Sequence, residues 1–288
     1  MKLLIFLLTP LMMFASSISL QILGSGGPEF SKRASSSYII WVDGKAKVLV
    51  DAGGGAFLRF SESGAKIEDL SFMALTHLHI DHSADLPAFM KAGYFSRRTE
   101  PLPLLGTVGA GDFPDIKTFT ERLFGKQGAY AYMQDILTTN SDSFELKPML
   151  FDQGFNSHNF GNIVVGMVGV QHGEIPAIAF CIMIEGKKIV FAGDTSASSD
   201  KLIDLAHGAD YLIVHHAIPQ HAGKYAKYLH ITPKRIGEVA QKAGVKHLIL
   251  SHRMKRTYNV EEESMKLIRK SYAGDVIWAE DLMKIEVK

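Results

Sequence analysis

The amino-acid sequence predicts an α/β sandwich, folded as one domain in two similar halves. Three observations carry that expectation. Apolar runs of strand length alternate with stretches of helical period along the whole chain. The histidines and aspartates that stand out fall at the ends of the apolar runs, where open α/β sheets place their sites. The order strand, site residue, helix occurs in both halves, and no linker divides them. The 288 residues, 47% hydrophobic and 21% charged, have the composition of an ordinary globular protein. A net charge of +1 gives no global field that would draw nucleic acid or anionic membranes.

The N-terminus suggests an address. Met1-Lys2 is a short positive start, residues 3–14 are apolar, and Ala15-Ser16-Ser17-Ile18-Ser19 offers small residues for cleavage. That is the layout of a secretory signal peptide. The run is shorter than the roughly 20 residues that span a bilayer, and Thr9-Pro10 suits a strand poorly. Residues 1–19 therefore read as a signal peptide, cut after Ser17 or Ser19, and residues 20–288 as the folded domain. The expected location is secreted or periplasmic, with no membrane span after cleavage. The single cysteine, Cys181, cannot form an internal disulfide and reads as a small core residue.

In the first half, residues 20–23 form a strand that ends in Gly24-Ser25-Gly26-Gly27-Pro28. This tight turn lacks the Lys-Ser/Thr ending of a P-loop. Residues 35–42 and 46–50 make a hairpin about Asp43-Gly44. The second of these strands ends in Asp51-Ala52-Gly53-Gly54-Gly55, a carboxylate with three glycines that suggests backbone close to a crowded site. Residues 56–67 are helix and loop, and residues 70–75 read as a buried strand end. They deliver His77, His79, Asp81 and His82, four ligand-type side chains within six residues. Metal chemistry explains this crowding better than packing does. Neutral imidazole and carboxylate suit zinc, and an open coordination position makes a bound water acidic near neutral pH. A helix follows over residues 83–93, with Asp85 in its first turn.

Beyond it, residues 102–106 read as a strand. Residues 111–124 read as a helix with Phe113, Ile116, Phe119, Leu123 and Phe124 on one side. Residues 129–133 add aromatic bulk expected in the core. Residues 140–162 are polar, with His158 expected on the surface. Residues 163–170 form a strand that delivers His172, and residues 177–184 are its partner. Residues 188–195 end in Asp194, and a carboxylate between two cations can bind both. Residues 209–217 end in His215-His216. His230 precedes a helix with Thr232 as N-cap, Pro233 in its first position and Gly244 at its end. Residues 245–250 carry Ser251-His252, residues 261–271 are the last helix, and residues 276–287 form a closing strand region with Trp278 in the core. His207, His221 and His247 read as structural. The basic run 252–256 is open between a solvated loop and a role with an anionic substrate.

The stretch His77-x-His79-x-Asp81-His82 resembles the H-x-H-x-D-H signature of the metallo-β-lactamase fold superfamily. From residue 20 to residue 287 the chain is most similar to its ribonuclease Z-like branch, which also contains phosphodiesterases and alkyl- or arylsulfatases. The resemblance implies a four-layer αββα sandwich in two pseudo-repeated halves, with two zinc ions as cofactors. Manganese or iron would also suit such a site. It implies His77, His79 and His172 on one metal, Asp81, His82 and His252 on the other, and Asp194 between them. Asp51 would support the ligand loop by hydrogen bonding. Asp81 would also orient the nucleophile, and His230 would protonate the leaving oxygen, a task suited to a pKa near neutrality. In ribonuclease Z proper a Glu stands where this chain has His216, so the role of His216 is open.

The expected function is an exported dinuclear zinc hydrolase, with a metal-bridging hydroxide that cleaves a small-molecule ester, a phosphodiester or a sulfate ester. The alternative is a ribonuclease Z-type tRNA 3′-processing endonuclease. Against it stand the apolar N-terminus, the near-neutral charge and the lack of a recognisable Gly/Pro-rich arm for gripping tRNA. Nucleic acid is therefore not the expected partner. A lactonase is a third reading, and a non-enzymatic metal-binding module is disfavoured because all seven ligands are present. Dimers are common in the resembled branch, which leaves a homodimer open.

Overall fold

The computed structural model describes residues 16–138 and 143–288. The first fifteen residues of the expected signal peptide lie outside the described residues. The strands are β1 (Ile18–Gly24), β2 (Ser37–Val42), β3 (Lys45–Val50), β4 (Phe72–Ala74), β5 (Leu102–Thr107), β6 (Leu146–Phe151) and β7 (Phe155–Phe160). They continue as β8 (Ile163–His172), β9 (Ile175–Ile184), β10 (Lys187–Phe191), β11 (Tyr211–His215), β12 (His247–Ser251), β13 (Asp275–Trp278) and β14 (Lys284–Glu286). They build two seven-stranded sheets, ordered β14-β1-β2-β3-β4-β5-β6 and β13-β12-β11-β10-β9-β8-β7.

Strand alternation explains the layers. Ile18, Leu20 and Ile22 of β1, with Tyr38, Ile40 and Val42 of β2, face a core shared with Phe180 and Ile182 of β9 and with Tyr211 and Ile213 of β11. The opposite faces are also apolar, because each sheet is covered by helices outside. Ile39, Trp41 and Leu49 meet a second core with Phe60 of α1 (Ala56–Glu62) and Phe89. The short helix α2 (Ile80–Ser83) precedes α3 (Leu86–Gly93), which carries Phe89, and α4 (Ile116–Phe124) packs on the same side. Leu212 and Val214 meet a third core with α5 (Lys201–Ala206), α7 (Pro233–Ala243) and α8 (Glu261–Arg269). The helix α6 (Lys224–Leu229) has no buried residue and precedes His230. The result is the expected αββα sandwich in two halves. Cys181 is buried as expected.

The differences from the sequence reading are local. The polar stretch 140–162 holds two strands, β6 and β7, which pair at the two sheet edges. Their alternating exposure hid them from an apolar-run criterion. The expected helix over 111–124 begins only at Ile116, where the Asp115 carboxylate caps Lys117 and Thr118, so Phe113 lies outside it. The helix after the metal motif begins inside it, because Asp81 and His82 sit on α2. The closing region splits between sheets, β13 pairing with β12 and β14 with β1. The first strand starts at Ile18, which pairs with Val42. Thr232 holds the N-cap position of α7 without a side-chain cap bond, and Trp278 is only half-buried.

Both halves end their parallel strands towards one place. β3 and β4 are parallel, with Val50 beside Ala74. β10, β11 and β12 are parallel, with Phe191 beside Ile213 and His215 beside Ser251. The inter-sheet core beneath that place sets the separation of the two halves. Phe180 is fully buried there. Phe180→Ala is expected to cost about 3–5 kcal/mol, read as a lower urea midpoint with an unchanged slope.

Candidate metal centre

Asp51 follows β3 with its backbone in the left-handed region, at φ 60°, a strain that persists only when the surroundings over-determine it. They do so here. Asp51 Oδ1 accepts from the Thr76 backbone N–H at 2.8 Å, and the Thr76 hydroxyl donates to the same carboxylate. The other oxygen accepts from His82 Nδ1 at 2.8 Å. That bond fixes the His82 ring with Nε2 turned to the cluster. His172 is fixed likewise, since Nδ1 donates to the Leu229 carbonyl at 2.7 Å. Gly53 has a steric reason, because a Cβ there would lie 2.1 Å from the Asp81 carbonyl oxygen. His252, also left-handed at φ 49°, packs against Gly27 of the first turn, where a Cβ would stand 2.7 Å from its ring. That turn therefore borders the cluster. Under His252, Tyr38 Oη donates to Ser251 Oγ at 2.8 Å.

The structure brings His77, His79, Asp81, His82, His172, Asp194, His230 and His252 together. Ligand atoms of His77, His79 and His172 lie within 4.8 Å of one another, as do those of Asp81, His82 and His252. The sets His77, His82, Asp194 and His172, Asp194, His230 meet the same limit. Asp81 Oδ2 accepts from His252 Nε2 at 3.0 Å. Buried atoms without a hydrogen-bond partner include His82 Nε2, His172 Nε2, Asp194 Oδ1 and His230 Nδ1. Leaving such atoms unpaired is costly, and divalent cations at the cluster would satisfy those of His82, His172 and Asp194. Imidazole nitrogen with carboxylate oxygen is a donor set that such cations accept.

The charges follow from burial and neighbours. Burial pushes His77 well below its ordinary value, with His82 adding to the effect, and it lowers His172 too. At His82 burial works in the same direction, but Asp51, Asp81 and Asp194 outweigh it and raise the imidazole to about 10. Burial likewise opposes ionisation of Asp194, yet His252, His215 and His82 hold it well below the usual carboxylate range. Asp81 is held at about 2 by His82 and His252 against burial. Burial and then His215 push His230 down to about 2. These surroundings therefore work against the near-neutral value expected of His230.

His216 lies elsewhere. Its Nε2 pairs with Ser264 Oγ at 2.8 Å, and its ring meets Trp278 edge-on. The residue that points into the cluster is His215, which the sequence reading passed over. The signal was available, since Tyr211, Ile213 and His215 share one strand face. Thr76 and Phe113 were also missed, and the Phe113 ring lies 5.5 Å from the His79 ring. His247 stays outside the site, stacked on Tyr211.

The mouth of the cluster is a cavity of about 110 Å³, walled by Pro28, Leu229 and Met254 above His79, Asp81 and His230. A larger cavity of about 440 Å³, lined in part by Lys32, Arg33, Arg253 and Lys255, lies outside the ligand cluster. Within the basic run, Arg253 is buried and engaged by Glu280 and Glu261, whereas Lys255 and Arg256 are exposed.

Residues 46–253 match the family model of the beta-lactamase superfamily domain. A ribonuclease Z of Mycobacterium bovis is 27% identical over 283 residues, covering 94% of this chain and 98% of that protein. The crystal structure of the short form of human tRNase Z superposes with a TM-score of 0.71 at 22% identity, covering 94% of this chain and 99% of the other. Zn(2+)-bound PqqB from Methylobacterium extorquens gives 0.69 at 15% identity, covering 93% and 99%.

Two measurements follow. Asp51→Asn leaves an amide where His82 needs a carboxylate, and divalent-metal affinity is expected to fall about 10- to 100-fold, read by chelator competition. Burial holds His216 at about 4, so below about pH 6.5 the unfolded chain takes up a proton that the folded chain refuses. Its contribution of roughly 3 kcal/mol is present above that pH and is lost as pH falls to about 4. The stability gap between the wild type and His216→Asn should narrow by that amount across the window in urea titrations.

Proposed function

The chain belongs to the beta-lactamase superfamily and is a metal-dependent hydrolase acting on ester bonds, and we propose that the bond is a phosphodiester in RNA, cut in the manner of ribonuclease Z. The observation that carries this reading is near-full-length similarity to proteins named ribonuclease Z, joined to a cluster that retains every ligand-type residue. It reverses the expectation that nucleic acid is not the partner, which rested on net charge and the N-terminus.

His77, His79 and His172 would hold one divalent cation, and Asp81, His82 and His252 the other, with Asp194 between them. Zinc suits the donors and is the ion of the PqqB structure. Bound there, such cations supply Lewis acidity for the phosphoryl oxygens and for the attacking water. Asp81 lines the mouth and is ionised, so it can orient that water and receive its proton. His230 lines the same mouth and donates to the leaving oxygen. The substrate brings negative charge into a buried pocket, which raises the proton affinity of an imidazole otherwise held low.

A second reading, an exported hydrolase of small esters, is favoured by the narrow mouth walled by Pro28, Leu229 and Met254. On that reading the N-terminal segment directs secretion. Cleavage after Ser17 would leave β1 whole, whereas cleavage after Ser19 would remove Ile18 and Ser19, which pair with Val42 and Trp41.

Purified protein with its metal quantified should be offered precursor tRNA with a 3′ trailer and bis-p-nitrophenyl phosphate. The expected result is two divalent ions per chain and cleavage at the trailer, reduced at least about 1,000-fold in His79→Ala with the fold kept. Turnover of bis-p-nitrophenyl phosphate alone selects the second reading. Metal-loaded protein that cleaves no phosphodiester overturns the first reading and leaves the second only in its sulfate-ester form.

A further inference from the structure

We propose that His215 is a positioning residue that sets where His230 stands relative to Asp194. His215 ends β11 and is 4% exposed, with its ring turned into the cluster. Nδ1–H donates to the Gly193 carbonyl at 2.9 Å, and Nε2 accepts from the Ile231 backbone N–H at 3.3 Å. Both bonds require the same neutral tautomer, proton on Nδ1 and lone pair on Nε2, so neither is made at the other's expense. Gly193 immediately precedes Asp194, and Ile231 immediately follows His230. One imidazole therefore ties the turn after β10 to the segment between α6 and α7.

The His230 side chain needs such help. Its Nδ1 is buried without a hydrogen-bond partner, 3.7 Å from Asp194 Oδ2, so its placement depends on the backbone on either side. The His230 N–H is held by the Ala226 carbonyl at 2.8 Å, and on the other side the tether is His215. The two rings meet edge to face, 5.0 Å apart. The turn at the other end of the tether has little freedom. Gly193 has φ 60°, and a Cβ there would lie 2.9 Å from Thr76 Cβ.

The proposal rests on the reading above, in which His230 gives its proton to the leaving oxygen as the bond from phosphorus to that oxygen breaks and water oxygen bonds to phosphorus. A displaced His230 slows that proton transfer without disturbing the attack. The loss should therefore grow with the basicity of the leaving group.

The test compares His215→Asn, His215→Gln and His230→Ala on a ribodinucleotide, whose leaving group is an alkoxide, and on bis-p-nitrophenyl phosphate, whose leaving group needs no proton. Asparagine keeps a donor for Gly193 and lacks the reach to accept from Ile231. Glutamine reaches Ile231 with its amide oxygen. For His215→Asn the expected result is a 10- to 100-fold lower kcat on the dinucleotide, with KM, metal content and the nitrophenyl ester rate unchanged. His215→Gln should recover most of the loss. Equal losses on both substrates, or lost metal, would mean that His215 only supports the Asp194 turn, and the proposal falls. Leaving-group dependence in His230→Ala but in neither His215 variant also overturns it. No such dependence in His230→Ala overturns the proton-donor reading itself. Should the asparagine variant fail to fold, His215→Phe, which keeps a ring and removes both hydrogen bonds, takes its place in the same comparison with the same expected and overturning results.

Discussion

Asp51 follows β3 with a buried carboxylate, both oxygens engaged, and the geometry of the ligand cluster descends from it. An ionised carboxylate in an apolar sandwich must be hydrogen-bonded from every side. Here the donors are the backbone and hydroxyl of Thr76 and the imidazole of His82. The first two lock the end of β4 to the end of β3. The third turns His82 so that its other nitrogen faces the cluster. The strand ends cannot slide without stranding that charge, so the ligand loop inherits the rigidity of the first sheet.

The second constraint is electrostatic. Asp51, Asp81 and Asp194 are all buried among histidines, and in the free protein His82 and His252 are driven towards their charged forms by those carboxylates, against burial. The cluster is therefore built around a demand for positive charge that imidazolium meets only partly, since several buried nitrogens and an oxygen still lack partners. Ligand affinity and proton affinity compete for the same lone pairs. Burial holds three of the clustered histidines, His77, His79 and His172, below their ordinary value and so favours their neutral form.

Much of this was legible in the sequence, for identifiable reasons. Buried strands read as apolar runs because both faces of each sheet are covered. The six-residue motif was visible because four ligand types crowded together have no packing explanation. The edge strands β6 and β7 were not legible, because half-exposed alternation in a polar stretch resembles loop. His216 drew attention through its place beside the family's pattern, while strand parity already put His215 on the inner face with Tyr211 and Ile213. Thr76 carried no chemical signal, because its part is to satisfy Asp51, and that need appears only when β3 and β4 lie side by side. The pKa of His230 could not be read either, since it depends on burial among imidazoles drawn from distant segments.

The ligand sets do not respect the boundary between the sheets. His77, His79, Asp81 and His82 follow β4 of the first sheet, whereas His172 ends β8 and Asp194 and His252 follow β10 and β12 of the second. Asp81 and His252, already hydrogen-bonded, are 171 residues apart in the chain. An ion shared by such residues closes a loop of that length, and long closures remove the most entropy from an unfolded chain. With one cysteine, the protein has no internal covalent staple to draw on. The cations it recruits for chemistry would also serve as its cross-links, fastening one sheet to the other at the rim where the sandwich would otherwise begin to open.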